Sequence, residues 1–255
     1  MDFDILTLPP VAWLLCAGIA VLAGVIKGMV GFAMPMVLIS GLSSFLAPEL
    51  ALAGLILPTL ATNGMQALRQ GRAAAWQSVK RFRRFLIAGG AVMVISAQFV
   101  RILPGDVLLL VIGVPVFLFS LLQLMGRSIT IAKPTARGEM VVGGVAGAIG
   151  GISGVWGPPT VAYLTALGTE KSEQMRIQGV IYGLGSVVLL FAHIGSGVLT
   201  TKTAPLSLAL VLPAILGMWF GGRISDRIDQ RRFRQATLFV LLIASLNLMR
   251  RAVLG

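Results

Sequence analysis

The sequence predicts an all-α, polytopic membrane protein made of two homologous halves, and two observations carry this prediction. Of the 255 residues, 56% are hydrophobic and only 12% are charged, whereas a soluble chain carries about 25% charged residues. One glycine-rich motif also occurs twice, as GVIKGMVGFAMP at residues 24–35 and as GAIGGISGVWGP at residues 147–158. Glycine and proline at this density interrupt helices, so each half should contain one helix that is broken inside an apolar region.

Eight apolar segments follow one another along the chain, separated by short polar connections. Most have about the 20 residues that span a hydrocarbon core. The first and the fifth are longer, and they are the segments that contain the repeated motif. The segments cover residues 11–46, 50–68, 85–100, 107–125, 140–167, 177–199, 206–222 and 236–249.

The repeat divides the chain into a first transmembrane repeat at 1–127 and a second at 128–255, which together form one membrane domain. If each long segment is a hairpin that enters and leaves on one face, each half has three further crossings and the second half is inverted. Cytoplasmic loops carry the excess of Lys and Arg. The inverted arrangement satisfies this rule better than eight plain spans, because it leaves only these basic residues outside: Arg101, Lys202, Arg250 and Arg251. We therefore expect inverted repeats with the N-terminus outside.

The two motifs are suited to holding an anion at the helix breaks. The free N–H groups and the dipole at the start of a half-helix attract negative charge, and glycine lets the backbone approach a ligand closely. The alternative is that glycines at this spacing only pack helices together. The residues expected to bind a substrate here are Gly28, Gly31, Phe32 and Pro35 in the first copy and Gly151, Ser153, Gly154, Trp156, Gly157 and Pro158 in the second.

Lys27 is the one ionised residue inside the apolar segments, and it lies in the first motif, where the second copy has Gly150. An ionised residue at membrane depth is a functional hypothesis by default, so Lys27 is a candidate counter-charge for an anion. The alternative is a lysine whose long side chain reaches an interface. The sequence leaves both interpretations open.

Polar residues follow each motif on the next apolar segment. Asn63 and Gln66 are three residues apart, and Gln178 and Tyr182 are four apart, so each pair shares a helical face. These side chains either hydrogen-bond the oxygens of a substrate or tie helices to one another.

The sequence also excludes several classes of function. No carboxylate lies inside the apolar segments, the only histidine is His193, and no phosphate-binding loop occurs, so neither an enzyme nor an ATPase is predicted. No metal or other cofactor is expected. The net charge of +12 comes from basic residues that flank the apolar segments, which indicates contact with the lipid bilayer rather than with nucleic acid.

The paired motifs that end in proline, the duplicated architecture and the length resemble the sulfite exporter TauE/SafE family of prokaryotic membrane permeases. The resemblance covers nearly the whole chain and is strongest at residues 24–35 and 147–159 with the segments that follow them. It implies a multi-pass protein of the plasma (inner) membrane that moves small sulfur-containing or organic anions. The leading hypothesis is a secondary transporter that exports such anions by alternating access. A passive anion channel and a non-transport membrane scaffold are the alternatives. The oligomeric state stays open, and a homodimer is one of the states considered.

Overall fold

The computed structural model describes residues 8–126, 131, 134–169, 171–224 and 229–254, and their regular structure is helical throughout. The helices, numbered here in chain order, are α1 (Pro10–Val30), α2 (Met34–Leu42), α3 (Pro48–Leu68), α4 (Arg72–Arg81), α5 (Arg83–Ala97), α6 (Gly105–Leu124), α7 (Ala136–Ser153), α8 (Gly157–Ala166), α9 (Lys171–Gly195), α10 (Ala204–Ala209), α11 (Val211–Ile224) and α12 (Gln230–Leu254).

Within the described residues, six helical stretches are long and apolar enough to cross a membrane. They are Pro10–Val30, Pro48–Leu68, Gly105–Leu124, Glu173–Gly195, Ala204–Ile224 and Gln235–Leu254. The predicted segment 85–100 corresponds to α5, which has only 15 residues and therefore measures about 22 Å. The six stretches thus include α1, which was predicted to be one arm of a hairpin, and leave out α5, which was predicted to cross.

Both predicted helix breaks are present. The first long segment divides into α1 and α2, and α2 folds back along α1, since a Cβ on Gly41 would lie 2.8 Å from the Cγ2 atom of Ile19. The fifth segment divides in the same way into α7, which ends at Ser153, and α8, which begins at Gly157. The short arms α2 and α8 have 9 and 10 residues, too few to span a hydrocarbon core.

The motif helix of each predicted half packs against a helix from the other half. In the first pair, α1 lies on α11, and the two run parallel because Gly24 faces Ala214 while Gly28 faces Met218. A Cβ on either glycine would overlap a carbonyl oxygen of α11. The backbones are therefore in direct contact, which is the close approach that small residues allow in membranes.

The second pair, α7 on α5, is built in the same way. A Cβ on Gly143 would lie 2.5 Å from the carbonyl oxygen of Phe85, and one on Gly147 would overlap the carbonyl oxygen of Gly89. A later residue of α7 again meets a later residue of α5, so these two helices also run parallel. Each motif thus supplies glycines to a helix–helix contact as well as to a break.

Helices α3 and α9 form the centre of the bundle and run antiparallel. Asn63 on α3 donates from Nδ2 to the carbonyl oxygen of Tyr182 at 3.3 Å, and Gln66 donates from Nε2 to that of Met175 at 3.2 Å. A later residue of α3 therefore meets an earlier residue of α9. Polar side chains join the two helices at buried positions.

Replacing Gly147 with alanine should destabilise the protein strongly. The added Cβ would overlap a backbone oxygen of α5, and backbone atoms cannot move aside as cheaply as a flexible side chain. Overpacking of this kind costs about 1–3 kcal/mol. The purified variant should show a lower midpoint of thermal unfolding than the wild type. Gly18→Ala is the matched control, because its Cβ would meet nothing within 4 Å, and an equal loss in both variants would contradict the packing argument.

Candidate functional site

The two helix breaks have the same local geometry. Gly31 follows α1 with φ 78° and ψ −2°, and its N–H donates to the carbonyl oxygen of Lys27 at 2.8 Å. Gly154 follows α7 with φ 71° and ψ 7°, and its N–H donates to that of Gly150 at 2.7 Å. A left-handed residue of this kind closes a helix, and glycine adopts it without steric cost. The third matched glycine of each motif therefore ends the helix.

The two copies differ two residues further on. Ala33, which precedes α2, has φ 74°, whereas its counterpart Trp156, which precedes α8, has φ −102°. Ala33 is the only non-glycine residue with a positive φ in the described part of the chain. A left-handed alanine is strained, and this strain lies at the first break and not at the second.

Substitutions at Gly31 and Ala33 should therefore change stability in opposite directions. Ala33→Gly removes a Cβ from a left-handed position and should raise the free energy of unfolding by about 1 kcal/mol or less, because glycine also loses more entropy on folding. Gly31→Ala adds a Cβ to a left-handed position and should lower it by about 1–2 kcal/mol. Thermal unfolding of the two purified variants measures both signs. If both substitutions change the free energy of unfolding in the same direction, backbone conformation does not decide the change in stability.

The two breaks converge on one small cavity in the interior of the bundle. Its volume is about 10 Å³, which is room for about one water molecule. The start of α2 and the start of α8 both reach it, and helices α1, α3 and α9 close its sides. The lining residues are Lys27, Phe32, Ala33, Pro35, Met36, Asn63, Val155, Trp156, Gly157 and Tyr182.

Lys27 is buried beside this cavity, with an exposed fraction of 2%. Its Nζ donates to Oδ1 of Asn63, and Asn63 in turn donates from Nδ2 to Oγ of Ser186 at 2.8 Å. The side chain therefore does not reach an interface. Among the described residues, the ion pairs involve other basic side chains, and none supplies a carboxylate to Lys27.

Two further donors at the cavity have no hydrogen-bond partner among the described residues. They are Nε1 of Trp156 and the hydroxyl of Tyr182, and both side chains are buried. Their rings meet edge to face with centroids 6.3 Å apart. Buried donors without partners are rare in folded proteins. Together with the Lys27 ammonium, they make the cavity rich in donors, which suits a ligand with several acceptor oxygens.

A family model described as Sulfite exporter TauE/SafE matches residues 16–248. The chain belongs to the sulfite exporter TauE/SafE family. No curated protein and no solved structure matches the chain. The matched range contains both helix breaks and every residue that lines the cavity. The predicted family is thus confirmed, and with the six candidate spans it identifies a multi-pass membrane transporter.

Not all of the residues predicted to bind a substrate line the cavity of this TauE/SafE protein. The structure brings seven of them together there: Lys27, Phe32, Pro35, Asn63, Trp156, Gly157 and Tyr182. Two others, Gly28 and Gly151, lie in the contacts of α1 with α11 and of α7 with α5. Their position agrees with the alternative that such glycines pack helices.

The remaining predicted residues hold the breaks in place or lie elsewhere in the TauE/SafE fold. Gln66 donates from Nε2 to the carbonyl oxygen of Gly31 at 3.0 Å, which fixes the first break to α3. Ser153 accepts from the N–H of Val155 at 3.1 Å and so supports the break formed by Gly154. Pro158 lies in the first turn of α8, and Gln178 is buried on α9. Asn63 and Gln66, which were predicted to share a helical face, therefore have different environments: Asn63 lines the cavity and Gln66 holds the first break.

Side-chain donors are present at the cavity beside the backbone N–H groups that the motifs predict. Pro35 lies in the first turn of α2, and Pro158 and Pro159 lie in that of α8, and proline has no N–H. The N–H of Val155 is already paired. The signal for the side-chain donors was present in the sequence, because both Lys27 and Trp156 stand where the two copies of the TauE/SafE motif differ.

Proposed function

We propose that the chain is a secondary transporter that exports small anions, among them sulfur oxyanions such as sulfite, and organosulfonates. The observation that carries the proposal is the buried ammonium of Lys27, which lies where both helix breaks meet. Burying an uncompensated charge costs several kcal/mol. An anion in the cavity would offset this cost and accept hydrogen bonds from Lys27, Trp156 and Tyr182.

The size of the cavity supports alternating access as the mechanism. A space of about 10 Å³ is too small for an anion with several heavy atoms, since it has room for about one water molecule. Binding therefore requires that α2 and α8 move apart from α3 and α9. Because the two short arms reach the cavity from different hairpins, opening one while the other stays closed would expose the anion to one face at a time.

We infer further that the two halves are inverted repeats. Helices α3 and α9 hold corresponding places in the halves and run antiparallel, as an inverted repeat requires. Arg81, at the end of α4, pairs with Glu173, near the start of α9, at 2.5 Å. This contact supports an inverted arrangement, in which the connections that contain Arg81 and Glu173 share one face of the membrane, whereas eight plain spans would put them on opposite faces.

Cysteine labelling tests the inverted arrangement. Single cysteines at Arg72 and Gln174, introduced into a Cys16→Ser background, should react with an impermeant maleimide from the same face of the membrane. Gln174 adjoins Glu173, and Arg72 lies two residues from Gln70, whose Oε1 accepts from Nη1 of Arg176 at 3.5 Å. Labelling from opposite faces would restore the eight-span arrangement.

Electrostatics favours export as the direction of transport. The chain has no motif for nucleotide hydrolysis, so the driving force must be a gradient or the membrane potential. An anion that leaves a cell with a negative interior gains about 2.3 kcal/mol per charge per 100 mV. Export therefore proceeds without a coupled ion, in keeping with the lack of carboxylates in the apolar segments.

Counterflow in proteoliposomes tests this function. Vesicles loaded with unlabelled sulfite should take up labelled sulfite from a dilute external solution transiently, and the initial rate should saturate with concentration. Flux that never saturates and shows no counterflow would indicate a channel. If no sulfite, thiosulfate, sulfonate or small carboxylate is transported, and none raises the midpoint of thermal unfolding, the scaffold alternative would replace the transporter.

A further inference from the structure

A second, larger cavity lies beside the central one. It is a crevice of about 340 Å³ between α5, α7 and α9, a volume within the range of about 300–1,000 Å³ that small-molecule sites have. Its lining is almost wholly apolar, and Arg83 is the charged residue in it. Glycines of α5, α7 and α9 form much of its wall, Gly90, Gly147 and Gly185 among them. An apolar ligand group of modest size would fit there.

The crevice runs along α5 from an exposed end to a buried end. Its lining begins at Arg83, which is exposed, and continues to Met93, ten residues or about 15 Å along the helix. At the inner end lies Trp156, which also lines the central cavity. The indole ring of Trp156 therefore borders both the apolar crevice and the cavity rich in donors.

The indole is held at this boundary by two glycines. A Cβ on Gly185 would lie 3.2 Å from Nε1 and Cε2 of Trp156, and one on Gly150 would lie 2.9 Å from its Cβ. The Nε1 donor, which has no hydrogen-bond partner among the described residues, thus lies next to a residue that lines the crevice. The inner end of the crevice is the place where an acceptor atom is needed.

We propose that this transporter takes amphiphilic organic anions, such as alkanesulfonates, with the anionic head in the central cavity and the alkyl tail in the crevice. The inference rests on the proposed function and names the class of substrate that the same site accepts. The head accepts from Lys27 and Tyr182, the Trp156 N–H donates to an oxygen at the junction, and the tail lies along α5. The central cavity and the crevice are then two parts of one binding site.

A membrane lipid with its tail in the crevice and its headgroup at Arg83 would have the opposite orientation. It would place a hydrocarbon end against Nε1 of Trp156 and leave that donor unpaired, which is unfavourable at a buried position. With the head inward, the donor is satisfied and every apolar lining residue meets the tail. The exposed charge of Arg83 then attracts the anion to the mouth of the crevice.

Competition by 1-alkanesulfonates of increasing length tests the proposal. Methane-, butane-, hexane- and octanesulfonate are added to proteoliposomes during sulfite flux, and the concentration that halves the flux is measured. Each methylene group that enters the crevice should lower this concentration roughly fourfold. In Gly90→Leu the dependence on length should disappear while inhibition by methanesulfonate stays as in the wild type, because a Cβ at Gly90 meets only Val188, at 3.7 Å, and points to the crevice.

Gly18→Leu is the matched control, since it makes the same change at an exposed position of α1 and should keep the dependence on length. If methanesulfonate competes but longer chains compete no better, the crevice does not hold the tail and the proposal is wrong, while the proposed function stands. A dependence on length that survives in Gly90→Leu would also overturn it. If Gly90→Leu instead loses sulfite flux together with co-purified phospholipid, the crevice houses a lipid. Absence of any anion flux in the wild type would remove the proposed function itself.

Discussion

Replacing Lys27 with methionine should reduce sulfite flux at subsaturating concentration by roughly ten- to a hundredfold, and it should do so without unfolding the protein. A hydrogen bond to a charged group contributes about 1.5–3 kcal/mol, which corresponds to one to two factors of ten. Methionine has nearly the volume of lysine, so the packing around this side chain, which is 2% exposed, should persist. Counterflow in proteoliposomes and thermal unfolding of the purified protein measure the two effects separately.

The stability of the Lys27→Met variant is informative because two effects oppose each other. Removal of a buried charge that has no counter-charge among the described residues is favourable. Against this, Oδ1 of Asn63 loses the hydrogen bond from Nζ of Lys27, which costs about 1–3 kcal/mol. We expect a midpoint of thermal unfolding near that of the wild type.

Lys80→Met is the control for Lys27→Met, because Lys80 is exposed on α4 with its Nζ 5.7 Å from the ring centroid of Trp76. It should leave flux unchanged. Flux within twofold of the wild type in Lys27→Met would show that the ammonium does not bind the anion.

The breaks could be predicted from the sequence because they are encoded locally. Gly31 and Gly154 adopt left-handed conformations that favour glycine, and the prolines that follow suit the first turn of a new helix. Lys27 could be found for a similar reason, since a charge in an apolar segment stands out whatever surrounds it. Features that depend on one residue and its neighbours in the chain are therefore visible before the structure.

The partners of these residues could not be predicted, because they come from distant parts of the chain. A helical face shared by Asn63 and Gln66 does not indicate that one reaches the cavity while the other holds Gly31. The glycines that pack α1 on α11 look the same in the sequence as glycines at a break. The crevice beside Trp156 depends on three helices from both halves, and no single segment carries a pattern for it.

Asn63→Asp should reduce anion flux about as much as Lys27→Met, although it keeps the lysine. Aspartate has almost the shape of asparagine, and its carboxylate would lie where Oδ1 of Asn63 accepts from Nζ of Lys27. The ammonium would then be neutralised within the protein, and a second anion would meet a carboxylate instead of an uncompensated positive charge. A buried charge gains a partner, whereas the hydrogen bond from Nδ2 of Asn63 to the carbonyl oxygen of Tyr182 is lost. The midpoint of thermal unfolding should therefore stay near that of the wild type while flux falls.

Asn63→Ser separates charge from shape. Serine removes the amide that bonds Ser186 and Tyr182 but introduces no charge, so Lys27 stays available to an anion and most of the flux should remain. If Asp and Ser variants lose flux equally, the shape of Asn63 decides transport and the electrostatic account of Lys27 is wrong. If the Asp variant alone loses flux while its stability is kept, the uncompensated charge is what the transporter uses. The lack of a carboxylate beside Lys27 among the described residues is then itself a requirement for anion transport.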